Sequence, residues 1–466
     1  MKKIQNLSLR IWQKSCLSKA LEVYQNGQKN FMCVAAPGAG KTRFSASLAK
    51  SLLDANYIDF VLCFAPSVNV QGSIQETFSN ILNDRFDGRI GTKGLVITYQ
   101  GIQYAYQELA HVIKNYRALI ISDEIHHCAS GVSSTSNQWG QLLVSLISEG
   151  NPLTLTLSGT PWRSDSTKIA LQSYSGEPQK LDTDFVYGLG HAVRDKVCRR
   201  PSLILLDNSS IDVQEGSETH KFSSIRQAIE AEKLKYSELL THQDSLSQLM
   251  TYAHEELIRI REKHPRAAGL VVASSIDQAR RISQFIITNF NESSIVVSYD
   301  QIDAHENIRD FQSSEIDWIV SIGMVSEGTD IPRLQVCAYL SNVRTELYFR
   351  QVLGRILRID QKTDEPCSMI AFAEPKLIEY SERINQDLPE DSMRIKVIEQ
   401  QTLIKTADSN TSTTQSPEKN GFMTLKTTSS NHTHSFDRLH DIASEASYSV
   451  KMAFGKDSYR TTILSL

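Results

Sequence analysis

No CxxC pair occurs in this chain, although it holds seven cysteines. Structural zinc and iron–sulfur sites need ligands at set spacings, so that class is excluded. Cys33 and Cys63 lie within apolar, strand-like runs, where a thiol serves as a small buried hydrophobe. Also missing is any apolar run near the roughly 20 residues that a membrane-spanning helix requires. The opening MKKIQNLSLRIW is basic but lacks an apolar stretch of signal-peptide length. Together these absences predict a cytoplasmic chain with no membrane partner. Nor is there a basic excess: 49 Lys and Arg stand against 53 Asp and Glu, a formal net charge of −4. A static nucleic-acid-binding module would be strongly basic. A protein that holds nucleic acid in one local groove of donors need not be. No solenoid repeat is present.

What is there is an ordinary globular composition, 40% hydrophobic and 22% charged, over 466 residues, enough for two to three domains. Short apolar runs alternate with helical stretches, which predicts an α/β protein with mostly parallel sheet. Strands are expected at Phe31–Ala35, Phe60–Phe64, Leu95–Thr98, Ala118–Ser122 and Leu153–Leu157. They alternate little, as strands buried on both faces do. A second α/β unit has candidate strands at Gly269–Ala273, Ser294–Val297, Trp318–Ile322, Gln335–Leu340 and Ser368–Phe372. From about Gly216 to Lys263 no strand signal is read. Ile225, Ile229, Leu239, Leu246, Leu249, Leu257 and Ile260 recur there at helical spacing. The expected division is therefore a first domain over 1–200, a helical connector over 201–267 and a second domain over 268–385. A Ser/Thr-rich linker over 386–435 and a terminal amphipathic helix within 436–466, on Leu439, Ile442, Ala446 and Val450, would follow.

The first chemical motif is Ala36-Pro37-Gly38-Ala39-Gly40-Lys41-Thr42, which follows a strand and opens a helix. That context is what a phosphate-binding loop requires. Gly38 and Gly40 let backbone N–H groups turn onto phosphate oxygens. Lys41 would reach the β- and γ-phosphates of ATP, and Thr42 would ligate Mg²⁺ at a helix N-terminus that favours anions. The second motif is Asp123-Glu124-Ile125-His126-His127, directly after an apolar strand. Two carboxylates at a strand exit can divide the work. Asp123 would hold Mg²⁺ and Glu124 would orient and deprotonate the attacking water. A third group is Gln351, Arg355 and Arg358 in QVLGRILR, which share one helix face at i, i+4 and i+7. Arginine suits a γ-phosphate because its charge is permanent and its fork matches the oxygens.

With Ser158-Gly159-Thr160-Pro161 between the second and third groups, the chain resembles a superfamily 2 helicase of the DExH type. The branch most similar contains bacterial repair helicases and motor subunits of type I restriction enzymes. The resemblance runs from about Leu9 to Glu382. It implies two tandem RecA-like domains that use ATP and Mg²⁺ to act on nucleic acid, DNA in preference to RNA. It implies further that Gln13, braced by Arg10, reads the adenine edge, and that Gly328-Thr329-Asp330 joins nucleotide to nucleic acid, with Asp330 meeting the ribose or a finger arginine. On the same grounds Ser67, Thr98, Ser274 and Thr329 would hold nucleic-acid phosphates. Each of these hydroxyl residues reads equally well as a helix cap or turn residue. An RNA helicase and an ATP-switched scaffold subunit remain as alternatives. A protein partner supplying nuclease or targeting function would dock on the tail.

Overall fold

The computed structural model describes residues 9–129, 135–160, 168–176, 180–208, 210–215, 218–298, 300–301, 303–323, 331–359, 366–388, 394–399 and 460–465. Its first domain opens with helix α1 (Ile11–Gln25) and strand β1 (Asn30–Ala35). Next come α2 (Lys41–Asp54), β2 (Phe60–Ala65), α3 (Val68–Leu82), β3 (Gly94–Thr98), α4 (Tyr106–Asn115) and β4 (Ala118–Ser122). Helix α5 (Thr135–Ser148) leads to β5 (Leu153–Ser158), the short pair β6 (Tyr174–Ser175) and β7 (Lys180–Leu181), and β8 (Phe185–Tyr187). The main sheet has the order β3-β2-β4-β5-β1-β8 and every pairing in it is parallel. Strands β4 and β5 are buried along their whole length, which explains why their sequences run apolar rather than alternating.

Helix α6 (Leu189–Arg194) leads to β9 (Arg200–Leu206), which crosses to the second domain and pairs in parallel with a strand of its sheet. A hairpin of β10 (Ile211–Glu215) and β11 (Glu218–Phe222) precedes α7 (Ile225–Glu230), α8 (Tyr236–Thr241) and α9 (Gln243–Arg261). The helical character expected of 201–267 is thus present only from Ile225 onward. The run Leu203–Leu206 is buried on both sides as a sheet strand is. In the hairpin, buried Ile211 and Val213 alternate with polar Asp212 and Gln214 over too few residues to stand out in sequence.

Then follow β12 (Ala268–Ala273), α10 (Ile276–Phe285), β13 (Ser294–Ser298), α11 (Ala304–Ser313), β14 (Trp318–Ile322), β15 (Leu334–Leu340), α12 (Glu346–Ile356), β16 (Pro366–Phe372) and α13 (Pro375–Gln386). Helix α10 gives way to a π turn over Ile286–Phe290, closed by Asn291 in the left-handed region at φ 54°. The second sheet has the order β13-β14-β12-β15-β16-β9-β18-β17. Its first six strands are parallel. The last two, β17 (Arg394–Glu399) and β18 (Arg460–Ser465), form an antiparallel pair, with β18 also antiparallel to β9. The rest of the expected linker and the proposed terminal helix at Leu439–Val450 lie outside the described residues. Two parallel sheets of six strands, each flanked by helices, are two RecA-like domains. No helix among the described residues is long and apolar enough to cross a membrane.

Candidate active site

The phosphate-type loop leaves β1 and turns into α2 through Gly40, whose φ of 94° lies in the left-handed region that glycine adopts without steric cost. Gly38 has φ 74°. The loop is braced from behind by α1. Arg10 Nη1 donates to the carbonyls of Gly38 at 3.2 Å and Ala39 at 2.7 Å, and Trp12 Nε1 donates to Ala39 O at 3.2 Å. Gln13 is buried. Its Oε1 accepts from the Arg10 amide at 2.8 Å, and its Nε2 donates to Gly40 O at 2.9 Å. A Cβ on Gly40 would stand 2.8 Å from that nitrogen and would displace the end of the Gln13 side chain, and the φ of 94° strains any residue other than glycine here. Arg10 and Gln13 therefore set the loop's shape from below.

Strand β4 ends at the mouth of the same sheet. Asp123 is buried, and its backbone is fixed by Phe64 O and by the Tyr99 hydroxyl. Its Oδ1 has no hydrogen-bond partner among the described residues. Burial, and then the neighbouring Glu124, push its carboxyl up from the ordinary range. A divalent cation would relieve that desolvated oxygen, and Thr42 lines the same cavity. Among the described residues no cluster of three or more acidic, His or Cys side chains is placed to hold a metal. One carboxylate and one hydroxyl fit Mg²⁺, which keeps waters and takes substrate phosphates as further ligands.

Glu124 sits at φ 48°, ψ 53°, a left-handed conformation that costs a non-glycine residue free energy and recurs at functional sites. Burial would raise its carboxyl, but Lys41 at 3.0 Å, His126 and the Gly159 amide at 3.0 Å outweigh it and hold the group ionised. Lys41 also donates to Ala35 O at 3.2 Å. His126 is buried, with Nδ1 3.0 Å from Ser158 Oγ and 3.4 Å from Glu124 Oε2. Ser158 in turn donates to Thr160 O and accepts from its amide. The Ser-Gly-Thr segment after β5 thus buttresses the acidic motif.

The other wall comes from the second domain. Helix α12 carries Gln351, Gly354 and Arg355, and Arg358 follows just beyond its end. Gln351 Nε2 lies 3.4 Å from His126 Nε2 across the cleft. A Cβ on Gly354 would fall 2.8 Å from Pro37 Cβ, and one on Gly38 would fall 3.3 Å from Arg358 Cγ. The two domains therefore meet at the phosphate-type loop itself. Between them lies a cavity of about 270 Å³ lined by Lys41, Thr42, Asp123, Glu124, Gln351, Arg355 and Arg358, among others.

The remaining expected residues are placed differently. Ser67 caps α3 by accepting from Val70 N at 3.5 Å, and Thr98 caps the following 3-10 turn through Gly101 N at 3.2 Å. Ser274 donates to Gln278 Oε1 at 2.7 Å. All three have the local cap or turn role that their residue types suggest. Thr329 and Asp330 lie outside the described residues. Sequence reading passed over His126 as a site residue and missed Cys198, Arg199 and Gly354 altogether. Two of these carry a signal in the sequence, His126 by its place in the acidic motif and Gly354 as a glycine inside a helix.

Family comparison agrees with this architecture. The family described as type III restriction enzyme, res subunit, matches residues 6–163, and the helicase conserved C-terminal domain matches residues 248–360. An uncharacterized protein of Mycobacterium tuberculosis is 27% identical over 396 residues, covering 81% of this chain and 63% of its own. One from Mycobacterium leprae is 26% identical, covering 81% and 64%. The chain thus spans less than two thirds of the length of these curated relatives. A putative HsdR subunit of a type I restriction enzyme from Vibrio vulnificus superposes with TM-score 0.55 at 14% identity, over 81% of this chain and 67% of that one. The ATP-dependent type ISP restriction-modification enzyme LlaBIII bound to DNA superposes with TM-score 0.52 at 16% identity, over 78% of this chain and 27% of that one. At such identities these structures speak for the fold. The two matched families fall in order on the two RecA-like domains that face each other across the cleft, and together they indicate a superfamily 2 helicase core.

Proposed function

We propose that this chain is a nucleic-acid-stimulated ATPase that couples ATP hydrolysis to movement along, or remodelling of, DNA. One observation carries the reading. Groups suited to a nucleoside triphosphate come from two separate domains and converge on one cavity. Lys41 and the amides of the glycine turn would hold the β- and γ-phosphates. Thr42 and Asp123 would hold Mg²⁺, which neutralises charge on the phosphate oxygens when bound. Glu124, kept ionised by its surroundings, would orient the attacking water and take its proton. Arg355 and Arg358 would meet charge that develops in the transition state, so they would complete the site only when the domains close. Nucleic acid bound across both domains would favour that closed arrangement, which gives stimulation a physical basis.

DNA is favoured because LlaBIII, of similar fold, is a DNA-bound restriction-modification enzyme. A role in restriction, repair or phage defence belongs to the same reading. The test is ATP turnover by the full chain with single-stranded DNA, duplex DNA and RNA in parallel, beside a Lys41→Ala control. Turnover raised by DNA and abolished in the control is the expected result. Stimulation by RNA alone would reassign the substrate. Turnover unmoved by any nucleic acid would favour an ATP-switched scaffold.

A further inference from the structure

Residues 198 and 199, on the segment that joins the two domains, touch both walls of the cleft. The Cys198 thiol donates to Pro37 O, in the phosphate-type loop, at 3.1 Å. Its backbone forms an antiparallel bridge with Arg358. The Arg199 amide donates to Leu357 O at 2.8 Å. The Arg199 side chain is 2% exposed, an unusual burial for a guanidinium. Its Nη1 donates to Ile356 O at 3.2 Å and to Leu334 O at 2.8 Å.

These acceptors are informative. Ile356 ends α12, and the last carbonyls of a helix have no partner within it. A buried cation there satisfies one of them and complements the negative end of the helix dipole. Leu334 opens β15, just after the segment 324–330 that contains Thr329 and Asp330. One planar guanidinium thus ties three things together: the interdomain segment, the start of β15 and the end of the helix that carries Arg355. Lysine, a point charge on a flexible stem, lacks the rigid planar group that holds this nitrogen between the two carbonyls.

We propose that Arg199 is a positioning residue, which fixes Arg358 in register with the phosphate-type loop. At 2% exposure it offers no surface to a ligand and acts through that finger arginine. This inference rests on the ATPase reading above.

The experiment compares wild type, Arg199→Met, Arg199→Lys, Arg358→Ala and the Arg199→Met/Arg358→Ala double variant. Melting temperature, ATP KM and DNA-stimulated kcat are measured for each. A misplacement of about 1 Å can cost on the order of 10²-fold in rate. Arg199→Met should therefore lower kcat by about that factor with KM little changed, and Arg199→Lys should recover only part of it. The double variant should be no slower than Arg358→Ala alone, because the lost register matters only through the finger. Multiplied losses in the double variant, or normal turnover by Arg199→Met, would overturn the proposal. If Arg199→Met fails to fold, Arg199→Lys paired with Arg358→Ala carries the same comparison, and a normal kcat for Arg199→Lys overturns the proposal. An active wild type with an unaffected Arg199→Met removes this inference alone. A wild type without turnover removes the ATPase reading, and this proposal with it.

Discussion

Glu124 shows how one residue can be held in a state that its position alone would oppose. Burial disfavours its charge. Lys41 at 3.0 Å and the Gly159 amide at 3.0 Å more than compensate, and a left-handed backbone aims it into the cleft. Glutamine keeps the shape and an oxygen able to accept from the Gly159 amide, but it cannot take a proton. Glu124→Gln should therefore bind a fluorescent ATP analogue near normally while losing about 10²–10⁴-fold in turnover. Titrating the analogue and measuring single-turnover hydrolysis checks both halves. Loss of binding as complete as loss of turnover would make Glu124 a structural partner of Lys41 instead of the base.

At the scale of the element, α12 matters through a residue that has no side chain. A glycine in a helix interior costs about 1 kcal/mol relative to alanine. Gly354 therefore needs a reason, and Pro37 supplies it: a Cβ there would sit 2.8 Å and 3.0 Å from two carbons of the proline ring. Gly354→Ala should leave the melting temperature equal or higher, yet slow stimulated turnover by about 10- to 100-fold, because the helix is held off the loop. A variant as fast as wild type would show that the domains close without this contact. The same helix marks what sequence can and cannot tell. Its limits, Glu346–Ile356, and the shared face of Gln351 and Arg355 follow from periodicity. So do the loop around Gly40 and the two acids after β4, because each is a contiguous run with a fixed spacing. The carbonyls that Arg199 binds are 135 and 157 residues away and belong to the backbone, so no residue type announces them. Strand β9 falls in the stretch expected to be a helical connector, because an apolar run as short as Leu203–Leu206 does not say whether it is strand or helix, nor which sheet it joins. Ser67 and Thr98 are caps, a role their residue types allow as readily as phosphate binding.

For the whole molecule, the proposed ATPase function would make catalysis and closure the same event, because the groups it needs come from two domains around one cavity. Arg358 tests that most directly. Its side chain lies against Gly38 of the opposite domain, while its backbone is bridged to Cys198 whatever the side chain may be. Arg358→Ala should therefore fold with an unchanged melting temperature. Its contact with the γ-phosphate would be strongest in the transition state, so ATP affinity should fall modestly while stimulated turnover falls by about 10³–10⁵-fold. Lysine should recover little, lacking the fork. Stability, nucleotide affinity and turnover for Arg358→Ala and Arg358→Lys, measured with and without single-stranded DNA, decide between three outcomes. An unfolded variant makes the residue structural, and normal turnover removes it from the site. Loss of stimulation with basal turnover intact would place Arg358 in the coupling between domains, where it would report closure without taking part in the chemistry.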